Sequence, residues 1–397
     1  MAKKITDSKT EGKQNIDTSD ELEPLRLPEY SEPIEELIKL LSQSKRSFVF
    51  GAGCSKCAGL PLMEELTEEI LTKIPKTDKT HTILQGLIEQ FSGSQSCTIE
   101  DYMSELVDLI SMADRHESRC AKTTSVAIGT NSYSATELRD ALTTIKRNIR
   151  LAVSSCKIKI HNHLQFIRAV HGRLQSGKSG PIYSTDYFTL NYDTLLEDAL
   201  ALEKIPLADG FNGGVTGWWN VRAYDDSSVS ARVFKVHGSI DWCLLDDDLL
   251  PRRVRYGLKD SEQQEPVLIW PAATKYREAQ RDPFAQILNK MRQTLRPPQN
   301  SEVVLAVVGY AFNDSHINDE LDRALIESDG RLTIIVFTSA DKPEGLLDKW
   351  RKDPHLKERV RIHAKRGFFH ADKQIDSNAD LPWWKFEVLI RILGGDR

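Results

Sequence analysis

Long apolar runs are missing from this chain. Nowhere does the sequence hold the roughly 18 consecutive apolar residues of a membrane-spanning helix, so no membrane association is expected. Positive charge is also short: 53 lysines and arginines against 58 aspartates and glutamates leave a net charge of −5. No global basic field advertises nucleic acid. Cysteine is scarce, and six in 397 residues do not make a disulfide framework. The opening stretch "MAKKITDSKTEGKQNIDTSDELEP" has no apolar segment of the secretory kind, so a reducing cytoplasm is the expected compartment. What remains is an ordinary globular composition, 40% apolar and 28% charged, with length enough for two domains.

Residues 1 to about 30 are polar and aperiodic, which predicts a flexible arm. "SEPIEELIKLLSQSK" predicts a helix capped by Ser31, with Pro33 in its first turn and Ile34, Leu37, Ile38 and Leu41 on one stripe. "SFVF" reads as a strand, and Pro61 opens a further helix with Met63, Leu66, Ile70 and Ile74 inward. From 76 to 178 strand signals vanish. "TIEDYMSELVDLISMADRH", with a capping box from Thr98 to Asp101, and "SATELRDALTTIKRNIRLAV", running on toward "HNHLQFIRAVHGRL", predict an inserted helical domain. From 179 onward, short β-branched runs such as "VFKV", "VLIW", "SEVVLAVVGY" and "RLTIIVFTS" alternate with helical text. Such near-continuous apolar strands predict a parallel sheet covered on both faces. The fold class is thus α/β, a Rossmann-like parallel sheet split over 31–75 and 179–397 by the insert.

The stretch "SFVFGAGCSKCAGLP", Ser47 to Pro61, has the strand–glycine turn–helix layout that aims N–H groups at a phosphate. Its spacing is not G-x-G-x-x-G, and no G-K-[ST] follows, so Gly51 and Gly53 alone are equally consistent with a tight bend. Three other strands also end in polar residues: "YFTL" in Asn191-Tyr192-Asp193, "VFKV" in His237-Gly238-Ser239, and "LAVVGY" in Ala311-Phe312-Asn313-Asp314. Ligands of open α/β sheets sit beyond such ends, so the joint pattern predicts one composite site. Taken singly, Asn191 is a turn former, Asp193 a helix cap, His237 a strand-end histidine, and Asn313-Asp314 a cap for a helix beginning near Ser315. Truncating Asn191 or His237 at a cleft is expected to cost little stability, roughly 1 kcal/mol. "HNH" at His161–His163 lacks flanking strands and is not read as a nuclease motif. Cys54 and Cys57 read as small fillers, the tryptophans Trp218, Trp219 and Trp242 as core or interface, and Asp209–Gly214 as a loop.

Together these segments resemble the sirtuin fold: "GAGCS" is similar to its G-A-G-x-S loop, "TLNYD" to its T-x-N-x-D motif, and "VHGS" to its His-Gly. The resemblance implies NAD as substrate. It places Gly51, Ala52, Gly53 and Ser55 at the pyrophosphate, with Pro61, Thr189, Gly309, Tyr310, Phe312 and Asp314 as further NAD-binding positions. It implies that Asn191 orders a water or ribose hydroxyl, that Asp193 shapes the nicotinamide pocket, and that His237 is the general base, an imidazole titrating near pH 6.5 when unperturbed. Deacylating sirtuins carry two C-x-x-C pairs for zinc. Here the single pair is Cys54–Cys57, so no metal is expected and a deacylase is disfavoured. "LNYDTLLEDAL" and "KVHGSIDW" are similar to the sirtuin-like NADases of bacterial anti-phage defence, in particular the subunit paired with a hexameric HerA-type ATPase. The likeness implies hydrolysis of NAD to ADP-ribose and nicotinamide, with a cyclic product the lesser alternative. It also implies homo-oligomers and nucleic acid reached only through the ATPase. The alternative is a non-catalytic sirtuin-fold scaffold that binds NAD or ADP-ribose and serves a DNA-associated ATPase.

Overall fold

A computed structural model describes residues 20–43, 45–91, 97–119, 124–154, 156–172, 184–214, 216–245, 248–253, 266–270 and 275–395. Nine strands form its main sheet: β1 (Lys45–Phe50), β2 (Thr185–Thr189), β3 (Leu207–Ala208), β4 (Ala231–Lys235), β5 (Val303–Val308), β6 (Leu332–Thr338), β7 (Val360–Ala364), β8 (Gly367–His370) and β9 (Lys373–Asp376). Their spatial order is β9-β8-β7-β6-β5-β1-β2-β4-β3. All neighbours from β7 to β3 pair in parallel. The six central strands, in the order β4-β2-β1-β5-β6-β7, reproduce the doubly wound 3-2-1-4-5-6 arrangement, whose topological switch lies between β1 and β5.

The parallel strands are apolar on both faces because both faces are covered. All of β5, VVLAVV, is buried. Along β1, Val49 joins one core with Phe188, Val307 and Val336, while Phe48 and Phe50 join the other with Tyr187, Val304 and Phe166. This is the period-2 alternation of a strand with two buried sides. The antiparallel hairpin β8–β9 at one edge was not anticipated from sequence. A second, five-stranded antiparallel sheet holds Phe211–Asn212, Trp218–Trp219, Gly238–Cys243, Arg252–Arg253 and Pro266–Leu268. Residues 209–214 are therefore part of a strand pair rather than only a loop, and the "VLIW" strand belongs to this smaller sheet. Trp219 and Trp242 are core residues packed edge-on about Phe211, whereas Trp218 is half-exposed.

Residues 1–19 of the expected arm lie outside the described residues. Residues 20–30 are not an arm: Leu22, Leu25 and Tyr30 are buried, and Tyr30 packs edge-on against Trp383. Helix α1 (Pro28–Gln43) consequently starts a turn earlier than predicted, at Pro28, and Ser31 and Pro33 fall inside it. A helix of four residues, α2 (Gly53–Lys56), is followed by α3 (Met63–Lys73), α4 (Lys79–Phe91), α5 (Ile99–Ser118) and α6 (Ala135–Ser154). The Asp101 carboxylate accepts from the Thr98 N–H at 2.7 Å, as the capping reading requires. Helices α3 to α6 share one core, with Leu66, Ile70, Leu106, Leu138 and Ile145 among its members. The hairpin Val126–Ile128/Asn131–Tyr133 adds strands where none were expected. The packing divides the chain differently from residues 76 and 178: α3 belongs with the insert. Helix α7 (His161–Ile167) belongs with the sheet, where Phe166 meets Phe48 and Phe50. His163 of the "HNH" run is buried against Phe386. No helix among the described residues is long and apolar enough to cross a membrane.

Candidate active site

The glycine turn joins β1 to α2 at the switch point, and the backbone explains its glycines. A Cβ on Gly51 would stand 2.4 Å from the Gly309 carbonyl oxygen, and one on Gly53 2.7 Å from the Gly309 Cα. Gly309 itself turns out of β5 at φ +64, a conformation that favours glycine. The two strand-end turns thus lie backbone against backbone. They are also hydrogen-bonded: the Gly51 N–H donates to the Val308 carbonyl at 3.0 Å and the Gly53 N–H to the Gly309 carbonyl at 2.9 Å. The Ser55 N–H closes the turn onto the Ala52 carbonyl at 3.0 Å. The expectation that Gly51, Gly53 and Ser55 offer N–H groups to a pyrophosphate is therefore corrected. Those donors are spent inside the fold, and Ala52 is exposed.

From β2 comes a chain of side-chain bonds. The Asn191 amide, Nδ2, donates to the Gly51 carbonyl at 3.0 Å and to Ser55 Oγ at 2.9 Å. Ser55 Oγ donates to Asp193 Oδ2 at 2.8 Å. Asp193 Oδ1 accepts from the Leu195 N–H at 3.1 Å, opening helix α8 (Leu195–Leu202). Buried Thr189 accepts from the Asn191 N–H at 3.1 Å. With Nδ2 committed to two acceptors, the Asn191 carboxamide presents Oδ1 as its remaining polar atom. Asp193 is both a helix starter and a member of the cluster. Beneath it, Lys235 is 1% exposed. Its ammonium donates to the Asp193 carbonyl and stands 3.6 Å from Glu197 Oε1. Burial raises the Glu197 carboxyl to about 7. Lys235 and Glu197 were not foreseen; the signal was a lysine within the apolar run "VFKV".

His237 follows β4 and is 4% exposed. Its Nε2 lies 3.1 Å from Nε2 of His316, on the first turn of α11 (Ser315–Glu327), which comes after α9 (Lys275–Glu278) and α10 (Phe284–Leu295). Burial, with smaller contributions from His316 and Lys275, drives the His237 imidazole down to about 3, against the opposing pull of Asp314. Burial thus favours the neutral form of the His237 imidazole and makes it a weaker base than an unperturbed histidine. Asp314 stands at the start of α11 but makes no side-chain capping bond. Its carboxylate instead pairs with Lys275, which also holds Glu100 of α5 at 2.6 Å. Burial would raise the Asp314 carboxyl, but the Lys275 ammonium paired with it holds it below its ordinary value.

The Tyr310 and Phe312 rings meet at a tilt with centroids 4.8 Å apart, and the Tyr310 hydroxyl donates to Asn318 Oδ1 at 2.9 Å. Phe312 sits at φ +58, strained for a residue with a Cβ. Pro61 leads from the turn into α3 and stands apart from the hydrogen-bonded cluster. Cys54 is buried with its thiol donating to the Val308 carbonyl at 3.3 Å, and burial raises both the Cys54 and Cys57 thiols. Among the described residues, one group of three metal-ligand types stands together: His237, Asp314 and His316, with donor atoms within 4.8 Å of one another. The Lys275 ammonium already supplies the positive charge at Asp314, which suits a hydrogen-bonded cluster better than a cation site.

The SIR2-like domain family matches residues 185–359, from β2 to the approach of β7. This supports a sirtuin-like fold, and Asn191, Asp193, His237, Asp314 and His316 lie within the match, while Gly51–Ser55 precede it. No curated protein matches the chain. SIR2-like domains are compatible with NAD-related activity.

Proposed function

We propose that this site binds NAD and hydrolyses its nicotinamide–ribose bond. The observation that carries the reading is the convergence of Asn191, Ser55 and Asp193, with neutral His237, beyond the carboxyl ends of neighbouring parallel strands at a Rossmann switch point. The leaving nicotinamide is a neutral amine, so the site needs no strong acid. The bond from ribose C1′ to the nicotinamide nitrogen breaks, the oxygen of a water bonds to C1′, and the water's proton passes to His237 Nε2. Nicotinamide and ADP-ribose result. Asn191 Oδ1 is placed to accept from that water, and a base as weak as His237 suffices because the ribosyl centre is strongly electrophilic. The phosphates fall to Ala52 and the outer face of the turn.

Purified protein incubated with NAD should release nicotinamide, and His237→Gln should lower the rate about 10²–10⁴-fold. Absence of release, from the protein alone and with the products of neighbouring genes, would overturn the reading. The second reading is a scaffold that binds NAD or ADP-ribose without turnover. It is favoured by the commitment of the Asn191 amide to bracing the turn. Calorimetric binding of NAD without nicotinamide release would select it. We extend the first reading to an anti-phage effector that depletes NAD in a homo-oligomer docked on a HerA-type ring ATPase. Support comes from the likeness of "LNYDTLLEDAL" and "KVHGSIDW" to such effectors, and from the size of the helical insert. Co-purification with a ring ATPase and loss of cellular NAD on infection test it.

A further inference from the structure

We propose that His316 is a positioning residue for His237: it donates its Nε2–H into the Nε2 lone pair of His237, fixes that ring's tautomer, and yields the lone pair when a ribose hydroxyl or water enters. The inference rests on the hydrolase reading for its catalytic consequence, though not for its structural part.

Two imidazole nitrogens 3.1 Å apart in a buried site cannot both carry a proton and cannot both present a lone pair. One must donate and the other accept. The neighbours decide which. The Leu190 carbonyl faces the His237 ring, and because Nε2 is turned to His316, it is an acceptor suited to Nδ1–H. His237 Nε2 is therefore the acceptor and His316 Nε2 the donor. The charges around the pair are balanced without protonating it: Asp314 is held by Lys275, Lys275 also reaches Glu100, and Asp319 and Glu320 on α11 act on His316 more weakly. His316 sits on the first turn of a helix anchored by buried Ile317 and Leu321, so its ring is placed by a rigid element rather than by a loop. A donor aimed into the lone pair has two effects. It sets the tautomer a base needs, and it lowers the basicity of that nitrogen until substrate replaces it.

Glutamine places an amide N–H near the reach of His Nε2, and leucine fills similar space without a donor. Protein labelled with ¹⁵N-histidine reports the tautomer directly, with His237 and His316 assigned by substitution. The wild type and His316→Gln should both show the His237 proton on Nδ1, whereas His316→Leu should show mixed tautomers. In nicotinamide release, His316→Leu should lose about 10-fold in kcat with KM changed less than about twofold, and His316→Gln should stay within about threefold of wild type. The acid limb of the His316→Leu profile should move up by roughly one pH unit, because a donor to the lone pair is gone.

Equal tautomers and equal kcat in the Leu and Gln variants would overturn the inference. So would d–d absorption bands on adding Co²⁺ that vanish in His316→Leu, since the pair would then be a cation site. If no protein form releases nicotinamide, the hydrolase reading fails, and the NAD-free tautomer spectra still decide the pair. If release is normal and the tautomer of His237 ignores His316, the pair fails and the hydrolase reading stands.

Discussion

Replacing Asn191 by alanine tests whether this side chain is a brace as well as a catalytic group. The substitution removes the bonds to the Gly51 carbonyl and to Ser55 Oγ. Neither partner is orphaned. The Gly51 carbonyl still accepts from the Cys54 N–H at 3.0 Å, and Ser55 Oγ still donates to Asp193. The loss is then two net hydrogen bonds without a buried unsatisfied group, about 1–2 kcal/mol, more than a strand-end residue at an open cleft would cost. Asn191→Asp should cost more, because it loses both donors and sets a second carboxylate beside Asp193 across Ser55. Urea unfolding followed by tryptophan fluorescence gives the stability, and nicotinamide release gives activity, which should fall at least about 10²-fold in both variants. An Asn191→Ala midpoint equal to wild type, with activity lost, would refute the bracing argument and return Asn191 to a purely catalytic role.

Gly53→Ala should destabilise by about 1–3 kcal/mol, because its Cβ would press on the Gly309 backbone, where no side chain can swing aside; urea midpoints check it. Acid should unfold the protein through its buried histidines. His171 is held near 4 and His363 near 3, below their ordinary value, so the unfolded chain binds more protons between that value and the folded one, and stability falls as pH drops through this window. His363→Phe, within the Phe337, Phe368 and Trp383 cluster, should recover up to about 2 kcal/mol at pH 5 relative to pH 7, measured as the difference between urea midpoints. Lys275→Met should leave the partly buried Asp314 carboxylate without its cation, lower stability by about 1–3 kcal/mol, and loosen α5 in hydrogen exchange around Glu100; unchanged exchange there would refute the link between insert and site.

The sheet was legible because its strands are covered on both faces, so that runs such as VVLAVV carry no polar break. The four polar strand ends were legible for the same reason, each being an abrupt change of character. The hairpin β8–β9 was missed because "GFFH" and "KQID" are short and of opposite patterning. Residues 20–30 were misread because three buried anchors, Leu22, Leu25 and Tyr30, are too widely spaced to make a period. At the site, residue types showed which groups could meet, but not how they would be spent. Only the approach of Gly309 shows why Gly51 and Gly53 lack side chains, and only burial shows that His237 is a weak base. His316 stood in plain view two residues beyond Asp314; nothing in one sequence says that a helix will turn it toward a strand-end histidine.

The placement of β1 sets an order of assembly. Its residues 45–50 pair on one side with 185–189 and on the other with 303–308. During synthesis the strand emerges before both partners and has no complete partnership until the chain beyond residue 308 has left the ribosome. The insert's core, by contrast, draws mainly on residues 66–152 and can collapse while the rest is still being made. The closing of β5 against β1 is a long-range pairing of the kind that forms slowly, and it seats Gly309 on the glycine turn. A nascent chain stopped short of β5 would leave one edge of apolar β1 without its partner, and would lack Gly309 beneath the glycine turn.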